Sequence, residues 1–170
     1  NQSKMKKVLL FVAVIFVSAA SVNAQGKTTF SLAGNIGYGT YTYGKLVAGG
    51  DIQADIPATT GLKITASAGY ESFGYSTSYV SNGVTYITKG HSSYIPLLAG
   101  VKFNLSTNLY GHAQLGYSLS TASGGTGAFT YAPSIGYMLS KNFDISAKYF
   151  GLSRNGATVS GIVARLAYNF

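Results

Sequence analysis

The chain has 170 residues, room for one domain and too few for two. Only 9% of the residues are charged, well below the roughly 25% of ordinary soluble domains, yet nothing beyond the N-terminal segment stays apolar for the roughly 20 residues of a membrane helix. The absence of cysteine excludes disulfides, thiolate chemistry and a lipidated N-terminal cysteine, and 22 Gly and 14 Tyr against 3 Pro favour strands and turns over helices.

Met5-Lys6-Lys7 followed by the apolar run Val8 to Ala20 predicts the basic and hydrophobic regions of a secretory signal peptide. Val22-Asn23-Ala24 supplies the small-x-small cleavage pattern, so the predicted cut lies between Ala24 and Gln25, with Asn1 to Lys4 a short upstream extension. The predicted organisation is therefore a removed segment over 1–24 and one domain over 25–170. Without Lys4, Lys6 and Lys7, 9 basic residues face 4 acidic ones, a net charge of +5 in place of +8, so part of the basic balance belongs to export.

From Phe30 onward the hydrophobic pattern has a period of two, the mark of strands. Phe30, Leu32, Gly34, Ile36 and Tyr38 share one face of a first strand. Gly39 to Gly44 links it to a second, where Leu46, Ile52 and Ile56 alternate with Lys45, Asp51, Gln53 and Asp55. Pro57 to Gly61 is a turn by composition. The third strand sets Leu62, Ile64 and Tyr70 against Lys63, Thr65 and Glu71. The Ser/Tyr/Thr-rich stretch Phe73 to Ser93 carries Asn82-Gly83 near its middle, a strong hairpin signal. It predicts that strands three and four continue as a polar, aromatic hairpin whose candidate interaction residues are Tyr75, Tyr79 and Tyr86. Strand four runs on through Ile95, Leu97, Val101 and Phe103 with Lys102 opposite, and Pro96 predicts a bulge or the point where the extension meets the main sheet.

Ser106 to Asn108 turns the chain into strand five, with Leu109, Leu115 and Tyr117 against His112 and Gln114. Ser120 to Gly127 is a Gly/Ser loop, and strand six carries Phe129, Ile135 and Tyr137. After Ser140 to Asn142, strand seven sets Phe143, Ile145 and Tyr149 against Asp144 and Lys148. Leu152 to Ala157 is a loop containing Asn155-Gly156. In the final strand, Ile162, Leu166, Tyr168 and Phe170 oppose Arg165. Eight strands result, with short turns alternating with longer loops.

Alternation alone does not say which face points inward. The strand charges Lys45, Asp51, Asp55, Lys63, Glu71, Lys102, Asp144, Lys148 and Arg165 all fall in one phase, and the other phase has none. Nine charges cannot cover a soluble surface but suit a polar lumen, whereas Lys or Arg facing lipid at mid-bilayer costs roughly 2–4 kcal/mol. The expected architecture is all-β: a single eight-stranded, antiparallel, up-and-down transmembrane β-barrel. An eight-stranded barrel is just wide enough for its side chains to fill it. Asp55, Asp144, Lys63, Lys102, Lys148 and Arg165 are accordingly expected to pack as a salt-bridged network toward the periplasmic end, with Asp51, His112 and Gln114 adding hydrogen bonds. Tyr38, Tyr70, Tyr117 and Tyr149 would form one lipid-facing aromatic girdle, and Tyr137, Phe143, Tyr168 and Phe170 the opposite one.

Two chemical motifs compete with this reading. Gly39-Thr40-Tyr41-Thr42-Tyr43-Gly44-Lys45 has P-loop spacing, but Leu46 stands where a magnesium-binding hydroxyl is needed and a strand follows instead of a helix. His91-Ser92-Ser93 is similar to the His-x-Ser pair of lipid A deacylase barrels, with Glu71 the nearest carboxylate to orient the histidine. Two histidines without a carboxylate cluster make no metal site.

The signal peptide, the eight alternating strands, the segment Ile95-Pro96-Leu97-Leu98-Ala99-Gly100-Val101-Lys102-Phe103 and the closing Phe170 resemble the small "porin family" outer-membrane β-barrel proteins of Gram-negative bacteria, with an architecture similar to OmpX and the OmpA barrel. The resemblance implies a cell outer membrane location and contact with outer-membrane lipid. It also implies recognition of the C-terminal strand by the barrel assembly machinery. No catalytic residue, cofactor, metal or nucleic-acid partner is implied. Three roles remain open: a structural or surface-interaction protein acting through the 73–93 hairpin on an extracellular protein or surface ligand, a narrow pore for small solutes, and a lipid-modifying enzyme.

Overall fold

The computed structural model describes residues 26–170, so the expected signal peptide and its cut at Ala24 and Gln25 lie outside the described residues. Eight strands follow in order: β1 (Thr29–Gly39), β2 (Gly44–Thr59), β3 (Leu62–Ser81), β4 (Val84–Asn104), β5 (Leu109–Ser120), β6 (Ala128–Met138), β7 (Phe143–Arg154) and β8 (Ala157–Asn169). Each pairs antiparallel with the next, and β8 returns to β1 to close the barrel. Closure removes both sheet edges, so every barrel strand has a neighbour on each side.

The period-two pattern is realised with its polar phase inside. Along β8, Val163, Arg165 and Ala167 are buried while Ile162, Leu166 and Tyr168 are exposed. Between the rims the outward phase carries large apolar residues on every strand, among them Phe30, Ile36, Ile52, Ile64, Leu115, Ile135 and Ile145. This inverts the distribution of a soluble barrel.

Tight turns fix the register. Ser81 pairs with Val84 around Asn82 and Gly83, whose φ values of 51° and 76° both lie in the left-handed region, as a type I′ hairpin needs. Arg154 pairs with Ala157 around Asn155 and Gly156 in the same way, with φ values of 49° and 80°. The strands flanking this turn reach further than the expected loop over Leu152 to Ala157. The expected turn at Pro57 to Gly61 shrinks likewise to Thr60-Gly61, because Pro57 and Ala58 stay in β2.

Pro96 does not make a bulge. The β3–β4 ladder lapses between Ala68↔Leu97 and Glu71↔Tyr94, then resumes in the same register. A residue without an N–H drops its share of the ladder without adding length. Pro133 opens a matching gap between Tyr131↔Gly151 and Ser134↔Lys148. A register shift falls instead in β2, between Gly44↔Tyr75 and Val47↔Phe73. The extra residue takes Lys45 out of the inward phase expected for it and leaves it exposed at the rim.

Candidate functional site: the filled lumen and the protruding hairpin

All four acidic residues of the chain, Asp51, Asp55, Glu71 and Asp144, are buried inside the barrel. Alternation turns them inward, and closure brings partners from distant strands against them. Asp51 on β2 receives the Arg165 guanidinium from β8, with Nε 3.1 Å from Oδ2 and Nη2 2.8 Å from Oδ1, and the Lys148 ammonium at 3.7 Å. Arg165 also reaches Asp144 at 3.6 Å and the Ser31 hydroxyl at 3.3 Å. A planar fork serves two carboxylates at once, which a point-like ammonium cannot do. Asp144 in turn accepts from the Tyr110 hydroxyl at 2.6 Å and the Asn169 amide at 2.9 Å.

Toward the end where β1 starts and β8 finishes, Asp55 holds Lys102 at 3.1 Å and the half-exposed Lys63 at 3.9 Å, and accepts from Gln53 at 2.6 Å. The Lys102 ammonium also lies 4.1 Å from the centre of the Tyr110 ring. Gln114 donates to Ser67 at 2.8 Å, and His112 shares a hydrogen bond with Thr65 at 2.8 Å. The geometry differs from the sequence reading at Asp51, expected only to add hydrogen bonds. It is the carboxylate that holds both Arg165 and Lys148.

Toward the other end the lumen turns apolar. Val47, Phe73, Leu98, Ala128, Ala132, Phe150, Leu152 and Val163 form one buried cluster. The Phe73 ring lies 5.8 Å from that of Phe150 and 6.1 Å from that of Tyr94. Tyr41, from the β1–β2 loop, packs on this layer and donates to the Gly74 carbonyl at 2.6 Å. Its burial, with Tyr94 and Tyr75 alongside, pushes the phenol above its ordinary value and keeps it a donor. This apolar layer is absent from the sequence reading of a polar lumen. Its signal was present, since Val47, Phe73 and Phe150 sit in the same phase as the charges.

Glu71, an inward-phase charge in the sequence, is absent from the expected network. It is 2% exposed, lies between the polar and apolar layers and accepts a hydrogen bond from the Asn35 amide, which also donates to Asp51 at 3.1 Å. The barrel wall makes room for it at Gly49, where a Cβ would lie 2.5 Å from Glu71 Oε2.

Outside the barrel, Tyr38, Tyr70, Tyr117 and Tyr149 are exposed toward one end, and Tyr137, Phe143, Tyr168 and Phe170 toward the other. Phe143 and Tyr168 meet edge to face at 5.0 Å, as do Tyr168 and Phe170. β3 and β4, with 20 and 21 residues against 11 in β1, stand beyond this layer. At about 3.3 Å per residue the excess carries the hairpin roughly 30 Å along its own direction. Tyr79 and Tyr86 stack across it at 5.2 Å with rings 13° apart, while Val80 and Ile87 are 70% and 63% exposed. Tyr75 departs from the expected set. It is half-buried, and its ring covers Gly90.

Neither competing motif assembles. The Gly39-to-Lys45 segment closes as a hairpin loop through a Gly44 N–H bond to the Tyr41 carbonyl. His91 is exposed, Ser93 is paired with Ser72 at 3.2 Å, and Glu71 points into the lumen on Asn35. A carboxylate on the opposite sheet face cannot orient that imidazole.

No protein-family model and no curated protein matches the chain. Solved structures do. Ail, the attachment invasion locus protein of Yersinia pestis, in complex with the heparin analogue sucrose octasulfate, is similar with a TM-score of 0.57 and 16% identity, over 86% of this chain and 99% of that one. The N-terminal β-barrel domain of Pseudomonas aeruginosa OprF gives 0.55 and 14%, over 84% and 97%. A de novo designed transmembrane β-barrel gives 0.53 and 16%, over 84% and 95%. At these identities the likeness establishes the fold, the eight-stranded barrel of small outer-membrane proteins.

Proposed function

We propose that this chain is an integral outer-membrane β-barrel with a filled lumen, acting as a structural or surface-interaction protein through the β3–β4 hairpin. The observation that carries the role is that hairpin. Beyond Tyr75 on β3 and Tyr94 on β4 no further barrel strand pairs with it, so it offers two open edges for strand addition. The rim from which it rises holds Lys45, Lys89 and Arg154 as its exposed charges, and every acidic residue is inside the barrel. An anionic surface ligand, the chemistry that Ail was crystallised with, suits this end.

In this reading the short loops 60–61, 105–108 and 139–142 face the periplasm and the hairpin faces outward. The outward face of β8, with Ile162, Leu166, Tyr168 and Phe170, is the surface offered to the assembly machinery and then to lipid. The internal network of Asp51, Asp55, Glu71, Asp144, Lys102, Lys148 and Arg165 serves stability.

The test is a variant lacking residues 77–88, closed by Asn-Gly between Ser76 and Lys89, which are cross-strand partners. Folding is checked by heat-modifiable migration on a gel, and sucrose octasulfate is titrated as the polyanion probe. A folded barrel that has lost the parent's binding supports the hairpin as the interaction element. Unchanged binding would remove it from that role.

A further inference from the structure

We propose that the mouth of the barrel opposite the hairpin is a binding site for a small phosphate-bearing anion. A cavity of about 240 Å³ opens there, with Lys63, Lys102 and Lys141 on its wall against the single carboxylate Asp55. The other three acidic residues of the chain are engaged deeper in the lumen: Asp144 by Tyr110, Asn169 and Arg165, Asp51 by Arg165 and Lys148, and Glu71 by Asn35. None of them can neutralise the mouth.

The cavity therefore carries three cations and one anion, an excess of two positive charges. A phosphate monoester at neutral pH carries about −1.5 to −2, which matches that excess better than a carboxylate does. The lysines are also placed differently for a guest. Lys102 is held by Asp55 at 3.1 Å and by the Tyr110 ring, so it gives a fixed charge at the back. Lys63 touches Asp55 only at 3.9 Å with its side chain 37% exposed, and Lys141, in the exposed β6–β7 turn, makes no ion pair among the described residues. Both ammonium groups are able to swing onto a phosphate, to which lysine binds as a point charge. Thr29 and Thr107 line the same cavity and bring hydroxyl donors. The site is a dead end, because the Tyr110–Asp144–Arg165 contacts close the lumen behind it.

This site is independent of the hairpin, and its test keeps the two apart. Folded, isotope-labelled barrel in uncharged-detergent micelles is titrated with inorganic phosphate and glycerol 3-phosphate, with potassium chloride at matched ionic strength as control. Saturable amide shifts around residues 63, 102 and 141 are expected, with binding weakened at least tenfold in the Lys63→Gln/Lys141→Gln variant and unchanged in the hairpin deletion. Lys141→Glu alone, in an exposed turn, is a second variant that folds independently of the Asp55 contacts and should also weaken binding. Competition by a short-chain phosphatidylglycerol would assign the phosphate to a lipid headgroup, and its absence to a free solute. Shifts reproduced by potassium chloride, or unaltered in both variants, would overturn the proposal.

Discussion

Asp51 receives the Arg165 fork and the Lys148 ammonium together, so removing its carboxylate leaves two buried cations facing only the remainder of the network. Breaking a buried pair from one side costs about 3–5 kcal/mol, against about 0–1 kcal/mol for a solvent-exposed pair. Asp51→Ala is therefore expected to lower the unfolding midpoint in urea far more than Lys63→Ala, whose partner sits 3.9 Å away at an open mouth. Equal losses in the two variants would mean that the lumen ions are hydrated instead of packed. A second residue-scale prediction concerns Gly49, where an added Cβ would crowd the Tyr70 carbonyl and the Glu71 carboxylate. Gly49→Ala should destabilise by about 1–3 kcal/mol, the cost of overpacking, and Gly49→Ala combined with Glu71→Gln should not recover it, since the Tyr70 backbone clash persists. The inward placement of Asp51, Asp55, Lys102, Asp144, Lys148 and Arg165 is legible from alternation alone. Their pairing is not, because Asp51 and Arg165 are 114 residues apart and meet only through barrel closure.

Among the strands and turns, the β3–β4 hairpin was the most legible, since Asn-Gly between alternating runs specifies a two-residue turn and hence its register. Its conformational demand gives the next prediction. Gly83 holds φ at 76°, a region that a β-branched side chain resists. Gly83→Val is expected to fray the hairpin tip, abolish the ring contacts between Tyr79 and Tyr86 and speed amide exchange from Ser78 to Ile87. The unfolding free energy of the barrel, read from its urea transition, should change by less than about 0.5 kcal/mol, as for other surface changes. A shift as large as that of Asp51→Ala would show that the hairpin supports the barrel instead of projecting from it. The bulge at Lys45 was hidden for the opposite reason. No local residue type announces it, and only the pairing of β2 with β3 reveals that two residues there oppose one. Pro96 is the complementary case: it sits close to Tyr94, where pairing with β5 ends, as one of its two expectations had it, while the other, a bulge, fails because the neighbouring strand decides whether a missing N–H adds a residue or merely interrupts the ladder.

Considered as one body, the barrel places two different barriers in series along its axis. Below lies a layer of ion pairs in which each carboxylate is engaged by a cation or a donor, and above lies the apolar layer of Val47, Phe73, Phe150, Leu152 and Val163. An ion crossing the first must displace paired charges, and crossing the second it must shed its hydration among aromatic and aliphatic side chains and the buried Ser118 and Thr130 hydroxyls, which are bonded to each other at 2.6 Å. Removing one barrier leaves the other. Residues 26–170, folded in a planar bilayer, are thus expected to show no discrete openings, and Phe73→Ala with Phe150→Ala, which empties the upper layer, should remain silent. Current is expected only when the upper layer is opened and Arg165→Ala also breaks the ion-pair layer. Openings in the parent chain would overturn the filled lumen and favour the narrow-pore reading. Openings in the two-phenylalanine variant alone would locate the whole barrier in the apolar layer and demote the ion pairs to a wall lining.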